Sequence, residues 1–195
     1  MVAMYSADEI RKRLGSVLDP DGAFPDLPSE RVAAVLVPVV TSGDPRIVLT
    51  LRTGTLSRHA GEISFPGGLA DPGETPVATA LRETDEELGL PPDEVDVLGT
   101  LGTFHTRVLG TVIVPVVGLL ASEPEFRPNA AEIERVLLQP VAGLSGMGRE
   151  SEFTWEGQTF PTYVFDTPGQ VIWGATARIL RGFLDALESP AIRPG

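Results

Sequence analysis

Three glutamates in the middle of the chain have the types and the spacing to bind a metal ion. Glu83, Glu86 and Glu87 lie three and four residues apart, so on a helix they are surface neighbours. Like charges at this spacing destabilise a bare helix by roughly 0.2–0.5 kcal/mol per pair. A hard divalent cation would offset that repulsion, because Mg²⁺ prefers carboxylate oxygens and commonly bridges them to substrate phosphates. The alternative interpretation is a solvated acidic face, the usual role of a run of charges.

A strand and a glycine-rich loop come directly before these acids. Residues 62–65 alternate polar and apolar side chains up to Pro66, which is typical of a short strand ending at a turn. Gly67 and Gly68 follow, and we expect them to form a loop whose backbone approaches a ligand closely.

A helix over about residues 75–88 should carry the acids themselves. Thr75 is a plausible N-cap, Pro76 fits the first helical position, and Gly89 is a plausible stop. One arc of this helix is expected to pack inward, away from the acids: Val77, Leu81, Thr84 and Leu88.

This stretch closely resembles the Nudix box. The matching positions are Gly68, Glu74, Arg82, Glu83, Glu86, Glu87 and Gly89. Thr84 is a departure, since the family usually has an aliphatic residue there, and we interpret it as a packing variation. The resemblance implies an α/β class fold, the Nudix α/β/α sandwich with a mixed, curved sheet. It also implies hydrolysis of nucleoside diphosphates linked to another group, with Mg²⁺ or Mn²⁺ as cofactor.

The resemblance and the charges together predict the metal site. Glu83, Glu86 and Glu87 would supply the ligands, and by family analogy the Gly68 carbonyl would add another. A cation held there would neutralise the diphosphate and lower the pKa of a bound water.

Further roles are predicted for residues near these acids. Arg82 lies one turn before Glu86 and can hold its carboxylate, while Glu74 should orient the loop. The general base is either Glu83 or a downstream acid, for which Glu132 is the first candidate. The alternative for Glu132 is an ordinary surface acid.

A second resemblance concerns the substrate. Residues 48–53, Arg58, Gly61 and 65–68 resemble the signature of the coenzyme A pyrophosphatase branch of the Nudix family, although Arg58 lies one place later than in that signature. Residues 172–180 also resemble that branch. The branch cuts coenzyme A or a derivative to 3′,5′-ADP and 4′-phosphopantetheine. The predicted substrate-binding residues are Arg52, Arg58, Phe65, Gly67 and Gly68.

Two alternatives stay open for the function. One is a Nudix diphosphatase with another substrate, such as ADP-ribose. The other is a non-catalytic Nudix-like binding module, against which the intact acids and Arg82 argue. The loop arginines could likewise be ordinary solubilising residues.

Composition limits the remaining possibilities. A chain of 195 residues suits one domain, here 1–195, with an N-terminal helix and linker over 1–29. A net charge of −12 argues against a nucleic-acid partner, and no apolar run is long enough for a membrane span. With no cysteine, the chain fits a reducing cytoplasm.

The rest of the chain predicts secondary structure around this motif. We expect a hairpin from 31–40 and 47–52, and a second hairpin from 153–155 and 162–165. The Gly/Ser-rich segment 143–151 is expected to be mobile, and 176–187 to form a terminal helix.

Overall fold

The computed structural model describes residues 5–26, 31–54, 60–106, 110–155 and 157–189, with only the backbone of Trp155. Its α-helices are α1 (Ala7–Leu14), α2 (Pro76–Leu88) and α3 (Gly174–Glu188). Its strands are β1 (Arg31–Val40), β2 (Arg46–Arg52), β3 (Ile63–Ser64), β4 (Gly67–Leu69), β5 (Asp96–Thr100), β6 (Phe104–His105), β7 (Thr111–Leu120), β8 (Ile133–Pro140), β9 (Gly148–Trp155), β10 (Gln158–Thr167) and β11 (Gln170–Ile172). Short 3₁₀ turns cover Pro92–Glu94 and Leu144–Met147.

A mixed sheet forms the centre of the molecule. Its strands follow the order β3-β2-β1-β7-β5, while β4, β6 and β8 pair with β1, β7 and β2. β1 and β7 run parallel along their whole length, and the other pairs are antiparallel. The prediction of a mixed sheet is therefore confirmed.

Both faces of this sheet are covered by helices. Leu36 and Val40 of β1 pack in one apolar cluster with Ala80 and Leu88 of α2. Since side chains alternate along a strand, Val37 points to the opposite face, where the cluster includes residues of α1 and α3. This layering confirms the predicted α/β/α sandwich.

A second, three-stranded sheet contains β9, β10 and β11. Phe165 of β10 and Ile172 of β11 are buried in the same cluster as Phe183 of α3. The predicted second hairpin is confirmed, and the terminal helix is slightly longer than expected. The segment 143–151, which was expected to be mobile, forms a 3₁₀ turn and then enters β9.

Helix α2 begins and ends as predicted. The Thr75 hydroxyl accepts a hydrogen bond from the Ala78 N–H at 3.2 Å, and Gly89 ends the helix with a φ of 62°. The Thr84 side chain is buried, and its hydroxyl donates to the Ala80 carbonyl at 2.6 Å. This internal hydrogen bond satisfies the hydroxyl, so threonine can occupy a position on the packed side of the helix.

The N-terminal segment is more firmly attached than its sequence predicts. Helix α1 is present, but Asp19, expected in a linker, exchanges backbone hydrogen bonds of 3.1 and 2.8 Å with Thr100 of β5. Residues 27–30 of the predicted linker lie outside the described residues. Within the described ranges, no helix has both the length and the apolar character needed to cross a membrane.

Candidate active site

The two glycines before α2 lie in a strand and not in the predicted loop. Gly67 and Gly68 belong to β4, where they pair with Val35 and Ala34 of β1. Gly67 has a φ of 147°, and a side chain there would overlap the Ala34 carbonyl and the Val35 backbone. Glycine is required because the two backbones approach so closely, and this contact overrode the turn prediction.

Glu87 of α2 turns inward towards this strand. It is only 4% exposed, and its Oε2 accepts a hydrogen bond from the Gly67 N–H at 3.1 Å. Burial raises the pKa of Glu87 to about 7, and the charges of Glu132 and Glu83 add to the rise. The Gly67 hydrogen bond and the Arg52 charge oppose it without cancelling it. Glu87 is therefore a buried carboxylate whose charge is only partly compensated.

Arg52, at the end of β2, supplies the nearest positive charge to Glu87. Its Nη1 donates to Glu87 Oε1 at 3.3 Å, and its Nη2 lies 3.9 Å from Glu132 Oε2. The register between β2 and β8 shifts between Leu51 and Arg52, so that Arg52 pairs with Ile133. The extra residue is Glu134 of β8, so the bulge changes which face Ile133 and the residue before it present. We call Arg52, Glu87 and Glu132 the Arg52 cluster.

Arg82 of α2 organises a separate group of acids. Its Nε and Nη2 donate to the two oxygens of Glu74 at 2.8 and 3.0 Å, and its Nη1 donates to Glu83 Oε1 at 2.8 Å. The predicted contact with Glu86 is present but longer, at 3.5 Å. We call Arg82, Glu74, Glu83 and Glu86 the Arg82 cluster.

Glu74 ties the segment before α2 to the helix. Its Oε2 accepts from the Asp71 N–H at 2.9 Å and from the Thr79 hydroxyl at 2.8 Å. The hydrogen bond from Arg82, followed by those from Asp71 and Thr79, lowers the pKa of Glu74 to about 2. A carboxylate with this many donors stays ionised and fixes the geometry of the turn.

The structure brings most of the predicted site residues together. Its described contacts join Arg82 to Glu83 and Glu86, and link Glu87 to both Gly67 and Arg52, with Glu132 beside them. Gly68 lies against Glu83, since a methyl group at Gly68 would overlap that carboxylate.

Phe65 does not fit its predicted role in substrate binding. It is only 3% exposed and packs in the apolar cluster shared with α1 and α3. Its ring is buried in the core, so this prediction is corrected. Arg58 lies outside the described residues.

Sequence reasoning missed the contact between Arg52 and Glu87. The two residues are 35 positions apart, and the packing that brings Arg52 of β2 beside α2 has no recognisable signal in the sequence. The presence of an arginine near the motif was the only indication.

The acids suit a hard cation in chemistry and charge. All are oxygen donors, and in the described part of the chain the glutamates of the two clusters outnumber the two arginines. No three acidic or histidine side chains among the described residues are already grouped as metal ligands. The contacts explain this, because Arg82 pairs with Glu83 and Glu86 while Arg52 pairs with Glu87. A bound cation would replace part of this pairing.

Comparison with known proteins agrees with the motif. The sequence profile of the NUDIX domain matches residues 30–153. A Pectobacterium atrosepticum protein named "Uncharacterized Nudix hydrolase NudL" is 38% identical over 154 residues, covering 77% of this chain and 80% of its own. "Nudix hydrolase 22, chloroplastic" of Arabidopsis thaliana is 44% identical over 159 residues, covering 76% of this chain and 52% of its own.

Solved structures agree on the fold. A MutT/nudix family protein from Enterococcus faecalis superposes with a TM-score of 0.57 at 13% identity, covering 92% of this chain and 73% of its own. A Deinococcus radiodurans protein gives 0.54 at 16% identity, covering 84% and 96%. The chain belongs to the Nudix hydrolase family. Nudix hydrolases are diphosphate-cleaving enzymes that generally use divalent metal ions.

Proposed function

We propose that this Nudix hydrolase cleaves the diphosphate of coenzyme A or a derivative, with Mg²⁺ or Mn²⁺. The observation that supports hydrolysis is that acids of α2 lie near Glu132, the residue before β8, with Glu87 bonded to Gly67 of β4. Among the described residues, these carboxylates outnumber the guanidinium groups that contact them, and the excess negative charge favours a bound cation.

In this proposal Glu83, Glu86 and Glu87 hold the metal, with the Gly68 carbonyl as a further ligand. A bound divalent cation supplies charge neutralisation for the diphosphate and a water of lowered pKa. Arg82 positions Glu83 through a 2.8 Å hydrogen bond.

The general base in this proposal is Glu83 or Glu132. It accepts a proton as water attacks one phosphorus, and the bridging P–O bond breaks to leave two phosphate monoesters. Glu132 is 44% exposed in its side chain and lies 3.9 Å from Arg52, so it is accessible to an incoming substrate.

The choice of coenzyme A is supported by where the two resembling segments lie. Residues 48–68 and 172–180 are far apart in sequence, but the Thr176 hydroxyl donates to the Ile63 carbonyl at 3.0 Å. The two segments of the branch resemblance are therefore in contact with each other at Thr176 and Ile63. Within this proposal Arg52 and Arg58 are partners for substrate phosphates.

The first test compares substrates and metal conditions. Purified protein with Mg²⁺ or Mn²⁺ should hydrolyse coenzyme A to 3′,5′-ADP and 4′-phosphopantetheine faster than it hydrolyses ADP-ribose, and excess EDTA should abolish both reactions. Faster hydrolysis of ADP-ribose would overturn the coenzyme A assignment alone. Undiminished activity in EDTA would overturn the metal-dependent mechanism.

The second test addresses the 3′-phosphate that distinguishes coenzyme A from dephospho-coenzyme A. A hydrogen bond to a charged group contributes roughly 1.5–3 kcal/mol, or about tenfold to a hundredfold in kcat/KM. Arg58→Ala should reduce kcat/KM by that factor on coenzyme A and much less on dephospho-coenzyme A. An equal loss on the two substrates would place Arg58 at the diphosphate or in a supporting role.

The remaining expectations belong to the same proposal. We propose that the chain acts as one domain on a small-molecule substrate in the cytoplasm. The absence of cysteine supports a reducing compartment, and the net charge of −12 disfavours a nucleic-acid partner.

A further inference from the structure

We infer that Arg52 is the internal counter-ion of the metal site, a positioning residue that competes with the divalent cation for the Glu87 carboxylate and is released when the cation binds. This inference rests on the proposed metal-dependent function. It assigns Arg52 a role that precedes any contact with substrate.

The backbone of Arg52 is held on both sides. Its N–H donates to the Glu62 carbonyl at 3.0 Å, and its carbonyl accepts from the Gly61 N–H at 3.2 Å. The next residue, Thr53, donates its N–H to the Glu132 carbonyl at 2.8 Å. With the main chain fixed, a change of partner by Arg52 is a movement of its side chain alone.

The side chain itself is held loosely. Its contacts with Glu87 and Glu132 measure 3.3 and 3.9 Å, whereas charge-assisted hydrogen bonds are usually about 2.7–2.9 Å. Its Nε is buried and has no hydrogen-bond partner among the described atoms, although only 22% of the side chain is exposed. Arg82 is similarly exposed, at 28%, but it is bonded more firmly: its Nε donates to Glu74, and three of its contacts with carboxylates measure between 2.8 and 3.0 Å.

This geometry makes Arg52 and a divalent cation competitors. Both would neutralise the Glu87 carboxylate, and the guanidinium also repels a cation placed nearby. Once Glu87 binds the cation, Arg52 loses its closer partner but stays beside the site because its backbone is fixed. The guanidinium is then available to a phosphate, which it can bind through two parallel hydrogen bonds. Metal binding thereby prepares the site for an anionic substrate.

The test measures Mn²⁺ binding by calorimetry without substrate. Arg52→Gln removes the competing charge, and Arg52→Lys retains it. In water-like surroundings, a unit charge about 6 Å from a divalent ion changes its affinity by roughly tenfold. Arg52→Gln should therefore bind Mn²⁺ roughly tenfold more tightly, and Arg52→Lys should bind close to wild type.

Arg46→Gln is the matched control. Arg46 begins the same strand, β2, but pairs with Glu123 at 2.7 Å away from the site. This variant loses one positive charge of the chain without touching either cluster. Its Mn²⁺ affinity should equal that of wild type, which separates the local effect of Arg52 from a change in net charge.

A second measurement uses the wild-type protein, so the test does not depend on the folding of a variant. In ¹⁵N NMR, the Arg52 Nε resonance, assigned by its absence in Arg52→Lys, should shift when Mg²⁺ is added. The Arg82 Nε resonance should shift less, because its bond to Glu74 at 2.8 Å persists.

The outcomes distinguish the role of Arg52 from the existence of the proposed metal site. Unchanged or weaker Mn²⁺ binding by Arg52→Gln, or a stationary Arg52 resonance during Mg²⁺ binding, would overturn the inference. If wild type binds Mn²⁺ and Glu87→Gln does not, the proposed metal site survives that result. If wild type binds no Mn²⁺ at all, the proposed function fails and the inference fails with it.

Discussion

Arg82 and Arg52 each pair with acids of the site, but their partners come from different distances along the chain. The partners of Arg82 are all within residues 69–86, on one helix and in the segment just before it. The partners of Arg52 come from α2 and from the residue before β8. The Arg82 cluster is therefore local in sequence, whereas the Arg52 cluster exists only once the sheet has formed.

The pKa of a glutamate shifts in opposite directions in the two clusters. Short hydrogen bonds from Arg82, Asp71 and Thr79 lower the pKa of Glu74 to about 2. Burial raises the pKa of Glu87 to about 7, because Arg52 and Gly67 compensate it only in part. The comparison teaches that the well-bonded cluster fixes geometry, while the poorly compensated one has electrostatic reason to attract a cation.

The largest expected effect is on turnover when a proposed ligand loses its charge. Glu87→Gln and Glu83→Gln should each lower kcat about a hundredfold or more, because the side-chain shape stays and the charge that a cation needs is removed. Steady-state kinetics at saturating metal measure this, and circular dichroism checks that the fold is intact. Wild-type turnover in both variants would exclude these two carboxylates as ligands of a catalytic metal ion.

Gly68→Ala should push the Glu83 carboxylate away from β4. The added methyl group would overlap the Glu83 carboxylate, which is itself held by Arg82. We expect a loss of about 1–3 kcal/mol in the free energy of unfolding, measured by urea denaturation, together with lower activity. Gly146→Ala is the control, since a methyl group there meets open space. Equal behaviour of the two variants would contradict the close contact.

Glu74→Gln tests whether the Arg82 cluster is held by charge. A group whose folded-state pKa is lowered from 4.5 to about 2 stabilises the fold above pH 4.5, and this contribution disappears as the pH falls towards 2. Wild type should therefore exceed Glu74→Gln in Tm at pH 6, and the difference should shrink on acidification.

The control for this experiment is Glu123→Gln, which removes an acid paired with Arg46 outside both clusters. Its activity should be unchanged, whereas Glu74→Gln should lower activity by roughly tenfold through a loosened Arg82. A Tm difference for Glu74→Gln that is independent of pH would exclude the charge of Glu74 as its cause.

The smallest effect is expected on the packed side of α2. Thr84→Val replaces a buried hydroxyl that bonds only within its own helix, to Ala80. The free energy of unfolding should change by less than about 1 kcal/mol, and kcat should stay at the wild-type value. A drop in kcat would show that the packed side and the acidic side of the helix are coupled.

Prediction from sequence succeeded where the residues in contact are close together in the sequence. The N-cap at Thr75, the stop at Gly89 and the pairing of Arg82 with Glu86 follow from helix geometry and known spacing. It failed for Gly67 and Gly68, which were expected in a loop and lie in β4. Turn propensity cannot reveal a strand that depends on pairing with residues more than thirty positions away.

The sequence by itself determined the acid-bearing helix, its caps and the family to which the chain belongs. Tertiary structure decided that Arg52 contacts Glu87, that Glu132 lies beside them, and that Phe65 is buried in the core. The reason is that a helix places neighbours three and four residues apart by its own geometry. The contact of Arg52 with Glu87 and the position of Glu132 beside it, in contrast, depend on how β2 packs beside α2 and pairs with β8, where an extra residue, Glu134, shifts the register.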